Sequence, residues 1–483
     1  MLAIALLPLA LIACNETTTD TDDTVDSNSP IEIKEYGETF NYLVMNDIFP
    51  YEYFYAEELL YNEMNDSVYE RQRNIENNIG ITITAKKHTD FLSYAEDFKT
   101  SISSGDNTYQ LCLTHATHGV ATLATSGYLF NFADFESVDL NQKYWNKSLM
   151  SSVKYKDKYL LGYGDMCLAS VYTVAFNKTL LQKHCGKILG DDTIYSLVED
   201  NRWTFKALSE LAATAHEDLN GDNKKDMSDQ YGLTGSMWVP ACSFLHASNL
   251  NISKYNKDEK AYELSINSSS KTQKVIDIVN DLYNAEYSNF SNPHVSGSQH
   301  VTMKTGRTLF ELYGSYKLVE LKGTNIKFGV LPYPLYDENQ NDYRSLSWNG
   351  YMVVPYNIDN FGMTEMVSDT LELLQYYSKP VTTAFYEKLL GAQVSEAPDD
   401  AYMLEIIWDS QVSDFAMAYS STSTSTHPLD ALLYAIPRIV LGIDGTNNFS
   451  GFWAIYGNSA KRDIRKVQGA LNLSTFVSGN GSF

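Results

Sequence analysis

Apolar and polar positions follow two periods in the chain after Glu38. "FNYLVMN" (Phe40–Asn46) is a nearly unbroken apolar run, the pattern of a buried strand. In "NDSVYERQRNIENNIG" (Asn65–Gly80), Val68, Ile75 and Ile79 recur at helical spacing and Gly80 supplies a stop. "ITITAKKH" then alternates as a strand, "FLSYAEDFKTSISSG" returns to the helical period and closes at Gly105, and "YQLCLTH" (Tyr109–His115) is strand-like again. This βαβαβ alternation predicts an α/β fold with a mostly parallel sheet covered by helices. Ligands of such sheets bind beyond the carboxyl ends of the strands. The loop after Leu113 carries Thr114, His115, Thr117 and His118, which either line a site or serve the structure.

From about Ser170 to Gly306 the pattern is largely helical; in "WTFKALSELAATAHE" (Trp203–Glu217), Phe205, Leu208, Leu211 and Ala212 share one face. "IKFGVLPYP" (Ile326–Pro334) and "SLSWNGYMVVP" (Ser345–Pro355) read as strands returning to a sheet. The last third is rich in Tyr and helical in pattern, and "SSTSTSTHP" (Ser420–Pro428) is a low-complexity loop. No internal repeat is present.

The start of the chain breaks with both periods. Leu2–Ala13 is almost wholly apolar. A spanning helix needs about 20 apolar residues, so this run has the length of a secretory signal core. It ends Leu11-Ile12-Ala13-Cys14, which resembles a bacterial lipobox; the alternative is an ordinary signal peptide followed by a chance cysteine. Asn15–Pro30 then holds Glu16, Asp20, Asp22, Asp23 and Asp26 with a single aliphatic residue, Val25, too little to fold on its own. Residues 1–13 are expected to be removed, Cys14 to carry lipid, and 14–37 to form an anchor and disordered linker to the membrane outside the cytoplasm. No second apolar run approaches spanning length.

Charge narrows the partners. Against 36 Lys and Arg stand 60 Asp and Glu, a net charge of −24, which disfavours nucleic acid and anionic lipid headgroups. Cys112, Cys167, Cys185 and Cys242 form no CxxC pair, and a chain of 483 residues needs no disulfide staples. Buried free thiols are expected, and two domains.

"HEDLNGDNKKDMSDQYG" (His216–Gly232) is the most specific local motif. Counting from Asp218, oxygen side chains fall at positions three (Asn220), five (Asp222), nine (Asp226) and twelve (Asp229), and Lys224 sits where a Ca²⁺ loop uses a backbone carbonyl. Asn223 replaces the glycine of position six and tolerates its left-handed conformation. A structural Ca²⁺ is expected; the alternative is a metal-free Asx turn.

Catalytic signatures are absent: there is no GxSxG, HExxH, Walker loop or GxGxxG. What stands out is the aromatic load, 35 Tyr, 21 Phe and 6 Trp. Trp238, Tyr313, Tyr316 and Trp348 sit in polar, loop-like contexts, where flat rings can stack on sugar faces while neighbouring Asn, Asp and Ser bond the hydroxyls. The same mixture suits a peptide site or plain packing.

In order along the chain, "NDSVYERQRNIENNIGITIT", "YQLCLTHATHGVATLATSGYLFNF", "YKDKYLLGYGDMCLASVYTVAFNKTLL", "RWTFKALSELA" and "DLNGDNKKDMSDQYGL" resemble the extracellular solute-binding lipoproteins of bacterial ABC importers, the class of maltose- and oligosaccharide-binding proteins. Tyr163 stands where the family usually has a crossover proline, and the His115/His118 loop departs from its common Trp/Asp form. The resemblance implies a two-lobed, periplasmic-binding-protein-like (Venus flytrap) fold with a hinge between two α/β domains. By position, lobe 1 would take 38–164 and 308–347, and lobe 2 165–307 and 348–483. Implied cleft residues are His115 and His118, Asp165 and Ser170 at the first crossing, Tyr313 and Tyr316 at the second, and Trp348 and Asn349 at the third. Trp238 joins them on its chemistry, whereas Tyr172 is expected to pack in the hinge. The implied function is a monomeric, non-enzymatic receptor that delivers a small-molecule solute, a carbohydrate above others, to an ABC permease. A surface glycan or peptide sensor feeding a signalling system and a surface glycoside hydrolase are the rival readings.

Overall fold

The computed structural model describes residues 28–473 except 46–49, 169, 268, 293–294, 322, 349, 395–397 and 421–427. Residues 1–27, with Cys14, lie outside the described residues, as do Asn349 and nearly all of the Ser420–Pro428 loop. Among the described residues no helix is long and apolar enough to cross a membrane.

Strand β1 (Thr39–Met45) is buried along most of its length and takes the inner position of a sheet; β2 (Thr82–His88) flanks it, and β3 (Leu111–Leu113) lies on its other side. Both neighbours run parallel to it, as the alternation predicts. The connecting helix Glu63–Ile79 is started by Asn62, whose side chain accepts from the Met64 and Asn65 N–H groups, and stopped by Gly80 at φ 60°. Its Val68, Ile75 and Ile79 are fully buried. The helix Tyr94–Ser103 covers the next crossover.

The middle section holds more strand than its helical pattern predicts. β4 (Tyr172–Asn177) and β5 (Tyr231–Ser236) are followed by the hairpin β6 (Ser253–Asn256) and β7 (Ala261–Leu264), then by β8 (Ser288–Ser291), β9 (Thr308–Gly314) and β10 (Phe328–Leu331). Short strands β11 (Ser345–Leu346), β12 (Met352–Val353) and β13 (Gln411–Val412) complete the set. A second, mixed sheet has the order β10-β4-β9-β5-β8, with β5 parallel to β8 and β9 and β4 antiparallel to β9 and β10.

Pairing overturns the expected lobe boundaries. β9 and β10 lie in 308–347, yet both hydrogen-bond into the second sheet, while β12 pairs antiparallel with β3 and closes the first. Segment 308–347 therefore belongs with 165–307, whereas the chain after about 350 divides. β12 and the helices Thr364–Tyr376 and Lys379–Val394 return to the first half, and the later helices, Ala435–Val440 and Phe449–Leu473 among them, pack back on the second, as expected for that part of 348–483. Apolar runs show that a strand exists, not which distant strand it meets. "SLSWNGYMVVP" accordingly splits between β11, paired with β13, and β12.

The two connections between the sheets run side by side. Gly162 and Met352 exchange backbone hydrogen bonds of 2.8 and 2.9 Å, and the Trp348 N–H donates to the Ser170 carbonyl at 2.8 Å. Leu168 in the first connection has φ 41°, which a side chain rarely adopts.

The expected linker also ends earlier than composition predicts. Lys34, Tyr36 and Gly37 donate backbone hydrogen bonds of 2.8–3.1 Å to Asn78, Ile79 and Gly80. The Lys34 ammonium lies 2.8 Å from the fully buried Asp369 carboxylate and 2.7 Å from Glu365. Residues 28–37 thus dock onto the fold, because one cation meets a buried acid that composition could not reveal. The thiols of Cys112, Cys167, Cys185 and Cys242 are free and buried.

Candidate functional site

Parallel β5 and β9 end at Ser236 and Gly314, and antiparallel β4 begins beside them at Tyr172. A cavity of about 530 Å³ opens at this edge, within the roughly 300–1,000 Å³ common for small-molecule sites and at the strand ends where α/β sheets bind ligands. Tyr172 and Tyr313 line it from the strands, Tyr316 from the turn that follows β9, and Trp238 and Tyr434 from the starts of the helices Val239–Ala247 and Ala435–Val440. Phe91 and His118 enter from the first-sheet side, so the cavity lies between the two halves.

Trp238 precedes the helix Val239–Ala247, whose Pro240 cannot donate a backbone hydrogen bond and suits a helix start. Its indole N–H donates to Asn292 Oδ1 at 3.2 Å, and its ring meets Tyr434 edge-on at 5.4 Å. Gly314 carries no side chain because the Tyr316 ring folds back over it: a Cβ there would sit 2.4 Å from the ring.

The His115/His118 loop is built at the end of β3. His115 Nδ1 accepts the Thr117 and His118 N–H groups at 3.1 Å each, which turns the loop on itself. Phe91 stacks on His115 at 5.4 Å and meets His118 edge-on at 4.9 Å. His118 lines the cavity, and the buried His115 braces it from behind.

Of the other expected positions, Trp348 is buried, with its ring 6.3 Å from Tyr434, and is not a lining side chain. Ser170 is fully buried at the connection, and burial pushes the Asp165 carboxyl up to about 6. Neither lines the cavity. Tyr172, expected to pack, is buried at 6% exposure and lines the cavity as well.

Several lining groups escape the sequence pattern. His300 and Glu311 form a pair of 3.0 Å, and the buried Glu311 also accepts the Met303 N–H at 2.6 Å. Asp430, Tyr434 and Arg438 line the opposite wall. Their spacing of four is a readable signal, a polar stripe through "LDALLYAIPRIV". Arg438 is committed to Asp444, with which it makes hydrogen bonds of 2.9 and 2.7 Å. Asp430 is not: its Oδ1 is buried with no hydrogen-bond partner among the described residues. Burial pushes its carboxyl up to about 6, with the Arg438 charge opposing.

The Asp218–Asp229 loop lies apart from this cavity. Asp218 accepts the Gly221 and Asn223 N–H groups at 2.7 and 2.8 Å, and Asn220 and Asp222 accept those of Asp222 and Lys224 at 3.0 and 2.8 Å. Asn223 adopts φ 57°, the left-handed conformation that the motif requires at that position. Asp226 Oδ1 accepts the Ser228 N–H, and Asp229 is buried with Oδ1 unpartnered. No three of His, Cys, Asp and Glu among the described residues converge on one point. Side-chain oxygens of Asp218, Asn220, Asp222 and Asp226 accept backbone N–H groups and hold the loop in its turn.

Comparison with known proteins accords with this architecture. An ABC substrate-binding protein from Listeria monocytogenes, solved in complex with cycloalternan, superposes with a TM-score of 0.54 at 13% identity, over 91% of this chain and 99% of that one. The maltose/maltodextrin-binding domain MalE from Bdellovibrio bacteriovorus, bound to maltotriose, gives 0.51 at 14%, over 91% and 100%. The GacH receptor of Streptomyces glaucescens gives 0.54 at 14%, over 91% and 99%. At such identities the likeness establishes the two-lobed α/β fold. No curated protein matches the chain. Residues 72–387 match the model of the bacterial extracellular solute-binding proteins, so the chain belongs to that family and binds its solute without transforming it.

Proposed function

We propose that the chain captures a sugar or oligosaccharide in the cavity between its halves and hands it to an ABC importer. The observation that carries this reading is the cavity itself: Trp238, Tyr434, Tyr313 and Tyr316 offer faces and edges for sugar rings, and the unpartnered Asp430 oxygen offers an acceptor for a hydroxyl. The solved proteins of like fold support it, since several carry sugars: cycloalternan, maltotriose and tagatose. A ligand that touches both walls favours the closed arrangement, and the paired connections at Gly162–Met352 and Ser170–Trp348 are where the halves would hinge. A panel of mono- and oligosaccharides, read by calorimetry and small-angle scattering, is expected to give one-to-one binding with compaction. Binding of peptides alone, or sugar binding with no compaction, sinks the reading.

The loop from Asp218 to Asp229 is proposed to hold a structural Ca²⁺. The oxygen spacing, the left-handed Asn223 and the buried Asp229 oxygen fit a hard cation. Bound at a hundredfold excess over its Kd, the ion stabilises the fold by about 2.7 kcal/mol. Calcium is therefore expected to raise the melting temperature and a chelator to lower it; identical melting in both refutes the site. Cys14 is proposed as the lipid anchor. Replacing it with Ser is expected to release the protein from the membrane fraction, and retention there would count against it.

A further inference from the structure

A second concavity, of about 670 Å³, shares no lining residue with the solute cavity. Two turns face each other across it. One follows the helix Lys147–Val153 and contributes Lys154 and Lys156; the other is the turn of the β6–β7 hairpin and contributes Lys257 and Lys260. The Tyr262 hydroxyl joins the two by donating to the Lys154 carbonyl at 2.9 Å, and Gln468 clamps the Tyr262 backbone at 2.7 and 2.9 Å. Asp157 is the single carboxylate on the lining; the neighbouring Asp258 and Glu259 are not part of it. In a chain of net charge −24 this is a concentrated local reversal of sign.

Two observations suggest that these charges are placed rather than scattered. Lys156 and Lys260 have φ values of 55° and 48°, where Gly or Asn would sit without strain. The ammonium groups are also largely uncommitted to acids: among the described residues Lys154, Lys257 and Lys260 have no carboxylate within ion-pair distance. Lys154 lies over the Tyr159 ring at 5.2 Å, and Lys156 donates to Asn472 at 2.6 Å. Four like charges held on facing turns repel one another, and a multivalent anion between them would turn that repulsion into attraction.

We propose that this groove binds a phosphate group. Its cations are all Lys, which bind phosphate as compact point charges, and several of them converging favour an anion that carries more than one negative charge. The phosphate can be carried by a small soluble anion or by a lipid headgroup. The test uses the full chain, produced without lipid, at low salt, where such contacts are least screened. Inorganic phosphate is titrated by calorimetry, and co-sedimentation is measured with phosphatidylglycerol-containing and pure phosphatidylcholine vesicles. Lys257→Gln/Lys260→Gln is expected to weaken binding about tenfold. The control Lys86→Gln/Lys87→Gln removes the same charge from exposed β2 positions and is expected to bind as the parent does. Binding of phosphate assigns a soluble anion, and binding only of phosphatidylglycerol vesicles assigns the headgroup. Binding of neither, or equal losses in both variants, overturns the site.

Discussion

Asp430→Asn is expected to make the protein more stable and a weaker receptor at once. The carboxyl titrates near 6 in the fold because burial disfavours its charge, and Arg438 compensates only in part while bonded to Asp444. An unfolded Asp titrates near 3.9. The folded state therefore holds this proton more tightly than the unfolded one, and stability declines as pH rises from about 4 to about 6. Above that window the penalty is complete, about 3 kcal/mol as an upper value at 1.36 kcal/mol per pH unit. Asn has the same shape and no charge. Its melting temperature should exceed that of the parent at pH 7.5, and the gap should close towards pH 4. Asp165, pushed up in the same way, leaves a residual slope in both proteins. The cost falls on binding. A charged acceptor contributes about 1.5–3 kcal/mol to a buried hydrogen bond, so affinity for a bound sugar should fall roughly tenfold or more at pH 7.5. A variant that melts lower at pH 7.5, or that binds sugar as tightly as the parent, removes Asp430 from the role assigned to it.

That trade explains why such an acid is found there. A buried oxygen with no partner is a defect in a protein that only has to fold, and an asset in one that must bind. The Glu311 carboxylate, on the same cavity, shows the contrast: His300 and the Met303 N–H already satisfy it, and it serves to hold the wall.

The strands and helices of the first half were legible because their signals are local. Asn62 and Gly80 bracket the helix Glu63–Ile79, and β1 is a buried run. The partners of β9, β10 and β12 were not, since pairing depends on residues far away along the chain. For the site, His118, Trp238, Tyr313 and Tyr316 could be named from chemistry and the family resemblance. Asp430 was missed: its spacing with Tyr434 and Arg438 marks a polar stripe, but an acid on a helix reads as solvated until burial is known. Lys34 shows the same gap: composition assigned it to a tether, and a buried Asp369 holds it to the fold.

The two tryptophans of the cavity region separate binding from packing. Trp238 is half-buried and faces the cavity, whereas Trp348 is 5% exposed and stands behind Tyr434. Trp238→Ala removes a stacking face from the centre of the site. Losses of about 2–3 kcal/mol are usual for such anchors, so sugar affinity should fall about 30- to 150-fold. The Asn292 hydrogen bond and the Tyr434 contact are half-exposed or replaceable by solvent, so the melting temperature should move little. Trp238→Phe keeps a face and should recover most of the affinity. Trp348→Ala instead opens a hole in the packed core, which costs about 3–5 kcal/mol of stability. Its melting temperature should drop sharply, and the fraction that remains folded should still bind. If Trp238→Ala binds every tested sugar as the parent does, the cavity between the halves is not where the solute sits.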